Sequence, residues 1–213
     1  MTYAVYFKKG DRMAAKRRAE TMEENRAKLI TAARISFAER GFAAVSMDEL
    51  TASVGLTRGA LYHNFGDKKG LLAAVVAQID GEMAQRAKAA AATAVDDWEK
   101  LLAEGIAYIK MALDTEVRRI VLLDGPAFLG DPAQWPSQNN CLESTRQTVI
   151  KLMERGVLKC VDADAAAHLL NSAALNSALW IAGSEDPQRA LPKIIEVFTQ
   201  LASGLQNSSH KPR

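Results

Sequence analysis

Arg58, Tyr62, His63 and Asn64 crowd one short run of the sequence, with Gly59 among them. Leu61 and Phe65 stand in the same run at helical spacing, so a short helix there would be apolar on one side. The other side has no structural need for its polarity. Gly55 breaks the chain just ahead, and Thr57 has the side chain of a helix N-cap. Before it, Ser46-Met-Asp-Glu49 reads as a capping box that opens another short helix with Leu50 and Val54 facing inward. N-caps at Ser46 and Thr57 leave free backbone N–H groups at positive helix ends, where phosphates dock. Two short helices joined by a glycine turn and packed on a preceding helix make a helix-turn-helix. That geometry holds the second helix proud of its domain, fitting its outer face to a major groove about 12 Å wide. These residues point to recognition of double-stranded DNA, not to bond making.

Signatures of catalysis are missing. There is no GxSxG, no P-loop and no Rossmann fingerprint, and Asp162 with Asp164 is spaced like a helix start. An enzyme is not expected. The chain has two cysteines and three histidines without zinc-ligand spacing, so neither a metal nor another cofactor is expected. Without a secretory signal, Cys141 and Cys160 are expected to stay reduced in a cytoplasm. The longest uncharged stretch, Ala165 to Ser184, carries His168, Asn171, Ser172, Asn176 and Ser177, too polar for a bilayer span. No membrane is expected as partner.

The elements that must position the recognition face are helices throughout. Alanine is abundant and strand formers are scarce, which favours an all-α fold. Thr21-Met-Glu-Glu24 reads as the capping box of the first helix. Leu29, Ile30, Ala33, Phe37 and Ala38 give that helix its apolar stripe, and Gly41 is suited to the left-handed residue that ends it. After Gly66 and Asp67 a longer helix runs through Leu71, Leu72, Val75, Val76 and Ile79. Residues 1–20 form a basic arm (Lys8, Lys9, Arg12, Lys16, Arg17, Arg18) with no core-forming period. It reads equally as a flexible solvated tail or as an arm on nucleic acid.

Towards the C-terminus, Asp96 with Glu99 makes a capping box ahead of Trp98, Leu101, Leu102, Ile106 and Ile109. The stretch from Asp124 to Ser137 is broken by Gly125, Pro126, Gly130, Pro132 and Pro136 into loops. Helices are expected at 142–155, 163–182 and 187–205. The second is apolar on nearly all sides, and with 142–155 it suits pairing with a second copy. Charge divides the same way: residues 1–70 hold 13 Lys/Arg against 8 Asp/Glu, and residues 71–213 hold 14 against 17. A net of +5 at one end and −3 at the other fits an end that meets a polyanion.

From Ala32 to Leu72 the sequence resembles the TetR family of bacterial transcriptional repressors. The resemblance is carried by Gly55-Leu-Thr-Arg-Gly-Ala-Leu-Tyr-His-Asn-Phe65, then Asp67-Lys68-Lys69 and Leu71-Leu72. Thr51 stands where the family usually has alanine, and His63-Asn64 where it often has an aromatic–histidine pair; the second difference bears on the target sequence. The resemblance implies an N-terminal three-helix helix-turn-helix DNA-binding domain and a C-terminal helical ligand-binding and dimerisation domain. It divides the chain at 1–20, 21–66 and 67–213.

The resemblance further implies that Ser46 and Thr57 set helix N-termini on phosphate and that Arg58 contacts a base edge or a phosphate. Gly59 allows close backbone approach, Tyr62 donates its hydroxyl to phosphate, His63 and Asn64 face the groove or backbone, and Lys68 clamps phosphate. Tyr62 also suits plain packing, and His63 a solvated position. The resemblance implies a cavity for a small effector, with Trp98, Tyr108, Phe128, Trp135, His168 and Asn171 as candidate walls; few charges face inward, so a mostly apolar or aromatic effector fits. The implied protein is a homodimer on a palindromic operator, a repressor released by its effector. A ligand-independent architectural DNA binder and a transcriptional activator are the other readings.

Overall fold

The computed structural model describes residues 3–207, with side chains from residue 12 onward; Lys8 and Lys9 of the arm lie outside the described side chains. Among the described residues the chain is helical and no strand forms; a single β-bridge joins Leu158 to Gln206. In chain order the α-helices are α1 (Tyr3–Arg40), α2 (Met47–Ser53), α3 (Arg58–Phe65), α4 (Lys68–Ala90), α5 (Asp97–Lys110), α6 (Gly125–Leu129), α7 (Pro136–Glu154), α8 (Ala163–Gly183) and α9 (Pro187–Ser203). Contacts divide the chain into two units, Met1–Val75 and Val76–Arg213. Among the described residues no helix is long and apolar enough to cross a membrane.

In the first unit the expected stripe of α1 is the core: Leu29, Ala33 and Phe37 have no exposed surface. Phe42 meets Phe37 edge to face at 5.4 Å, and Val45, Leu50, Leu61, Leu71 and Leu72 close around them. Gly41, at φ 78°, ends α1 as its sequence suggests, with its N–H donating to the Phe37 carbonyl at 2.9 Å. The start of α1 differs from expectation. Thr21 does not cap it; its hydroxyl donates to the Arg17 carbonyl at 3.0 Å, inside a helix that already began at Tyr3. Residues 11–20 are mostly Ala, Arg, Lys, Met and Glu, strong helix formers without proline, so the helix propagates straight through the box.

The second box is also not closed. Ser46 makes no side-chain cap bond, and Glu49 takes a hydrogen bond from Arg40 at 3.1 Å instead. Thr51 is buried and donates its hydroxyl to the Met47 carbonyl at 2.9 Å, so its own helix satisfies it. Asp67 caps α4 by accepting from the Gly70 N–H at 2.7 Å. A Cβ on Gly70 would lie 1.9 Å from the Phe65 carbonyl oxygen, which fixes glycine where α4 passes the end of α3.

In the second unit α8 is central, with α5, α7 and α9 packed against it. Ala167, Ala178, Ile181 and Ala182 on α8 have no exposed surface, and small side chains let its neighbours approach closely. Asp96 caps α5 by accepting from the Glu99 N–H at 2.8 Å, and Asp162 caps α8 by accepting from the Ala165 N–H at 2.8 Å. Between α5 and α7 the segment Val117–Asp124 is wound as a π-helix, ending with the Gly125 N–H on the Ile120 carbonyl. Proline at the first turn starts α7 at Pro136, earlier than the expected 142. Ser137 through Cys141 are therefore helical.

Candidate nucleic-acid interface and ligand cavity

The recognition helix α3 occupies the span its local signals indicate. Thr57 caps it by accepting from the Ala60 N–H at 3.2 Å, and Gly66, at φ 77°, ends it. Leu61 has no exposed surface while Arg58, Gly59, Tyr62 and His63 are exposed. Arg58 is held in place: its guanidinium donates to the Tyr62 hydroxyl at 3.1 Å, lies 5.5 Å from the centre of that ring, and pairs with Asp48 at 3.5 Å. The Tyr62 hydrogen bond and the nearby Asp48 charge both favour the charged guanidinium. Asp48 belongs to α2, so the pair tethers the two helices of the motif. Exposed pairs of this kind contribute little stability, and a phosphate can displace the carboxylate.

Asn64 and Lys68 are engaged differently. Asn64 is half-buried and donates its amide to the Ala60 carbonyl at 2.8 Å, turning back on its own helix. Its backbone carbonyl accepts from Arg26 at 3.2 Å, and Arg26 lies 4.6 Å from the Phe65 ring centre. Lys68 donates to the Ala43 carbonyl at 3.3 Å above the Phe42 ring, and partial burial lowers its pKa. An ammonium has three N–H donors, so two remain after this contact. A Cβ on Gly59 would come no nearer than 3.7 Å to another group, so nothing inside the fold requires glycine there.

The second unit holds a cavity of about 350 Å³ walled by α4, α5, α7, α8 and α9. Leu101, Leu102, Leu170, Leu175 and Phe198 make it largely apolar. Its polar groups are few and close enough to influence one another. Asp80 on α4 is only 5% exposed, its Oδ2 has no hydrogen-bond partner, and burial raises its pKa against the opposing hydrogen bond from Ser137. Burial, with the Asp80 charge and Cys141 nearby, drives the Tyr108 phenol well above its ordinary range. The Cys141 thiol is raised by burial and by Asp80 and Glu104, and lowered by Lys88. Thr145 lies 2.9 Å from Asn171 Oδ1, and Asn171 Nδ2 is buried without a partner.

Of the six residues read from the sequence as cavity walls, Tyr108 and Asn171 line the cavity. The other four lie elsewhere. Trp98 is core, packed with Val149, Leu152, Leu158, Ala166 and Ala202. Trp135 covers Gly125, where a Cβ would sit 2.7 Å from the indole. Phe128 is half-buried on α6, and His168 is exposed on α8, one turn from Asn171 but on the outer side. Sequence reasoning missed Asp80, which had a local signal: it falls on the apolar stripe of Val76, Ile79 and Met83. It also missed Cys141, which lies outside the expected helix 142–155, and Thr145, which no apolar stripe marks as inward-facing in that helix.

The model of a family described as "Bacterial regulatory proteins, tetR family" matches residues 29–75, and one described as "Tetracyclin repressor-like, C-terminal domain" matches residues 98–205. Among solved structures, a TetR-family transcriptional regulator from Pectobacterium atrosepticum is 47% identical, with a TM-score of 0.82 over 91% of this chain and 98% of that one. The transposon Tn10 TetC protein of Escherichia coli is 29% identical over 148 residues, 67% of this chain and 73% of TetC. The HTH-type transcriptional regulator AcrR of Shigella flexneri is 27% identical over 157 residues, 71% of this chain and 70% of AcrR.

Proposed function

The chain belongs to the TetR family of bacterial regulatory proteins, and from that premise we propose that it is a homodimeric repressor, held on a palindromic DNA operator until a small effector fills the cavity of its second unit. In this reading α3 enters the major groove. Arg58 and His63 meet base edges or phosphate, Tyr62 donates to phosphate, and the N-termini at Ser46 and Thr57 seat on the backbone. Gly59 lets the helix approach closely. Lys68 reaches phosphate with its two remaining donors, and Asn64 serves first to hold the end of α3.

The observation that carries the coupling is α4. This one helix begins with Lys68 beside the recognition helix and, further along, supplies Asp80, Gly81, Ala84 and Lys88 to the cavity wall. An effector that prefers one position of α4 acts on a helix whose first turns belong to the DNA-binding unit. A ligand shifts an equilibrium only by its differential affinity for the two states.

Dimerisation is supported by the apolar surface of α8 and α9, where Leu169, Trp180, Val197 and Leu201 are 56–71% exposed. The sequence expectation pairs 142–155 with 163–182; the uncovered apolar side chains Val197 and Leu201 favour α9 as the helix that joins α8 in the pairing. Burying one such side chain contributes about 1.5–3 kcal/mol.

The test is a thermal-shift screen of small amphipathic compounds followed by operator titration. Compounds that raise the Tm are expected to weaken operator binding by about 5- to 150-fold. Compounds that bind and leave operator affinity unchanged would instead favour the architectural reading.

A further inference from the structure

A carboxylate taken out of water is stabilised by a cation or by hydrogen-bond donors, and Asp80 lacks a full set. It is 5% exposed, Ser137 supports it, and Oδ2 has no partner. None of the ion pairs among the described residues includes Asp80. Lys88 stands in the same wall, two turns further along α4, and forms no ion pair with Asp80 among the described residues.

Asn171 is the second unsatisfied group. The Thr145 hydroxyl lies 3.0 Å from the Cys141 carbonyl and 2.9 Å from Asn171 Oδ1, and one proton cannot serve both fully. Whichever it serves, one end of the Asn171 amide stays unpartnered. Both residues line the one cavity, and the remaining wall is chiefly leucine, alanine and Phe198. Unsatisfied buried polar groups are few in folded proteins, and two in one cavity wall match the few orienting polar groups of a ligand site.

We propose that the effector is an amphipathic molecule whose hydrogen-bond-donating head, a hydroxyl or an ammonium, sits on Asp80, with a second polar atom at Asn171 and an apolar body against Leu101, Leu170 and Phe198. The proposal rests on the effector reading above and specifies the chemistry of that site. An anionic head is disfavoured, because Asp80 and Glu104 place like charge in the wall. Asp80 is then a binding residue kept at a cost to the stability of the empty protein.

Four probes of one shape test it by isothermal titration against the 213-residue protein: 4-phenylbutylamine, 4-phenylbutanol, the methyl ether of that alcohol, and 4-phenylbutyrate. The amine, the alcohol or both are expected to bind tighter than the ether and the acid by about 10- to 100-fold. Asp80→Leu is expected to erase that preference while leaving ether binding in place, and Asp80→Asn to abolish the advantage of the amine over the alcohol. A preference for the amine in the wild type assigns an ammonium head, and parity with the alcohol assigns a hydroxyl. Equal binding of ether, alcohol and amine, unchanged by Asp80→Leu, would overturn the assignment of Asp80 and leave the effector reading standing. No binding of any of the four would overturn the assignment of Asp80 and Asn171, while the thermal-shift screen with operator titration decides the effector reading.

Discussion

Glycine inside a helix is about 1 kcal/mol less favourable than alanine, and Gly59 bears that cost with no internal reason. A methyl group there would meet ordinary van der Waals contact at 3.7 Å. Gly59→Ala is therefore expected to raise thermal stability slightly and to weaken operator binding, because the added Cβ faces outward. Calorimetry and a gel shift on the same preparation check both halves. Arg58 makes the complementary case, since its neighbours Tyr62 and Asp48 orient the guanidinium without burying it. Arg58→Ala should cost operator affinity about tenfold or more while leaving the dimer intact in native mass spectrometry; unchanged affinity would remove its assigned role. Asp80 adds a dependence on pH. A carboxyl whose pKa is higher in the folded chain favours folding below the unfolded value, and that advantage is lost as pH rises through the folded value. Asp80→Asn is thus expected to raise the Tm near neutrality by a few degrees, and by less as the pH falls towards the ordinary carboxylate range. Tyr108, Cys141, Glu104 and Lys88 of the same cavity are left unaltered. An increment that stays constant from neutrality down through the ordinary carboxylate range in scanning calorimetry would contradict this.

Helix α3 was legible because its limits are set by neighbours in the chain: the Thr57 cap, the Leu61 stripe and the left-handed Gly66. Caps at Asp96 and Asp162 were legible for the same reason. The start of α1 was not, since a Thr-x-x-Glu pattern is as compatible with the middle of a helix as with its beginning, and the residues before it favour helix. The cavity was least legible. Its walls come from five helices far apart in sequence, and an inward direction is defined only once they pack. Aromatic residues drew attention, yet Trp98 and Trp135 fill ordinary core and cover a glycine. Exposure, too, needed the structure: α8 is apolar on nearly all sides, and only packing reveals that Leu169 and Trp180 on α8, with Val197 and Leu201 on α9, remain uncovered. Leu201→Glu on α9 is expected to leave the fold intact and shift the protein towards monomer in sedimentation. A dimer undisturbed by Leu201→Glu or Trp180→Glu would place the interface elsewhere.

The whole chain carries a modest net charge of +2 that conceals an uneven distribution. The basic residues gather at the end that bears α3, and the rest of the molecule is mildly acidic, as suits a unit that has no polyanion to meet. A single short recognition helix supplies little affinity, whereas two in a two-fold dimer reach major grooves one helical turn apart, about 34 Å. We propose above all that this protein reads DNA as a symmetric dimer through α3. Selection of bound duplexes from a random DNA pool tests it most directly. The predicted result is enrichment of two inverted half-sites about one turn apart, lost with Arg58→Ala. Absence of any enriched sequence, or an enriched site indifferent to Arg58→Ala, would contradict it.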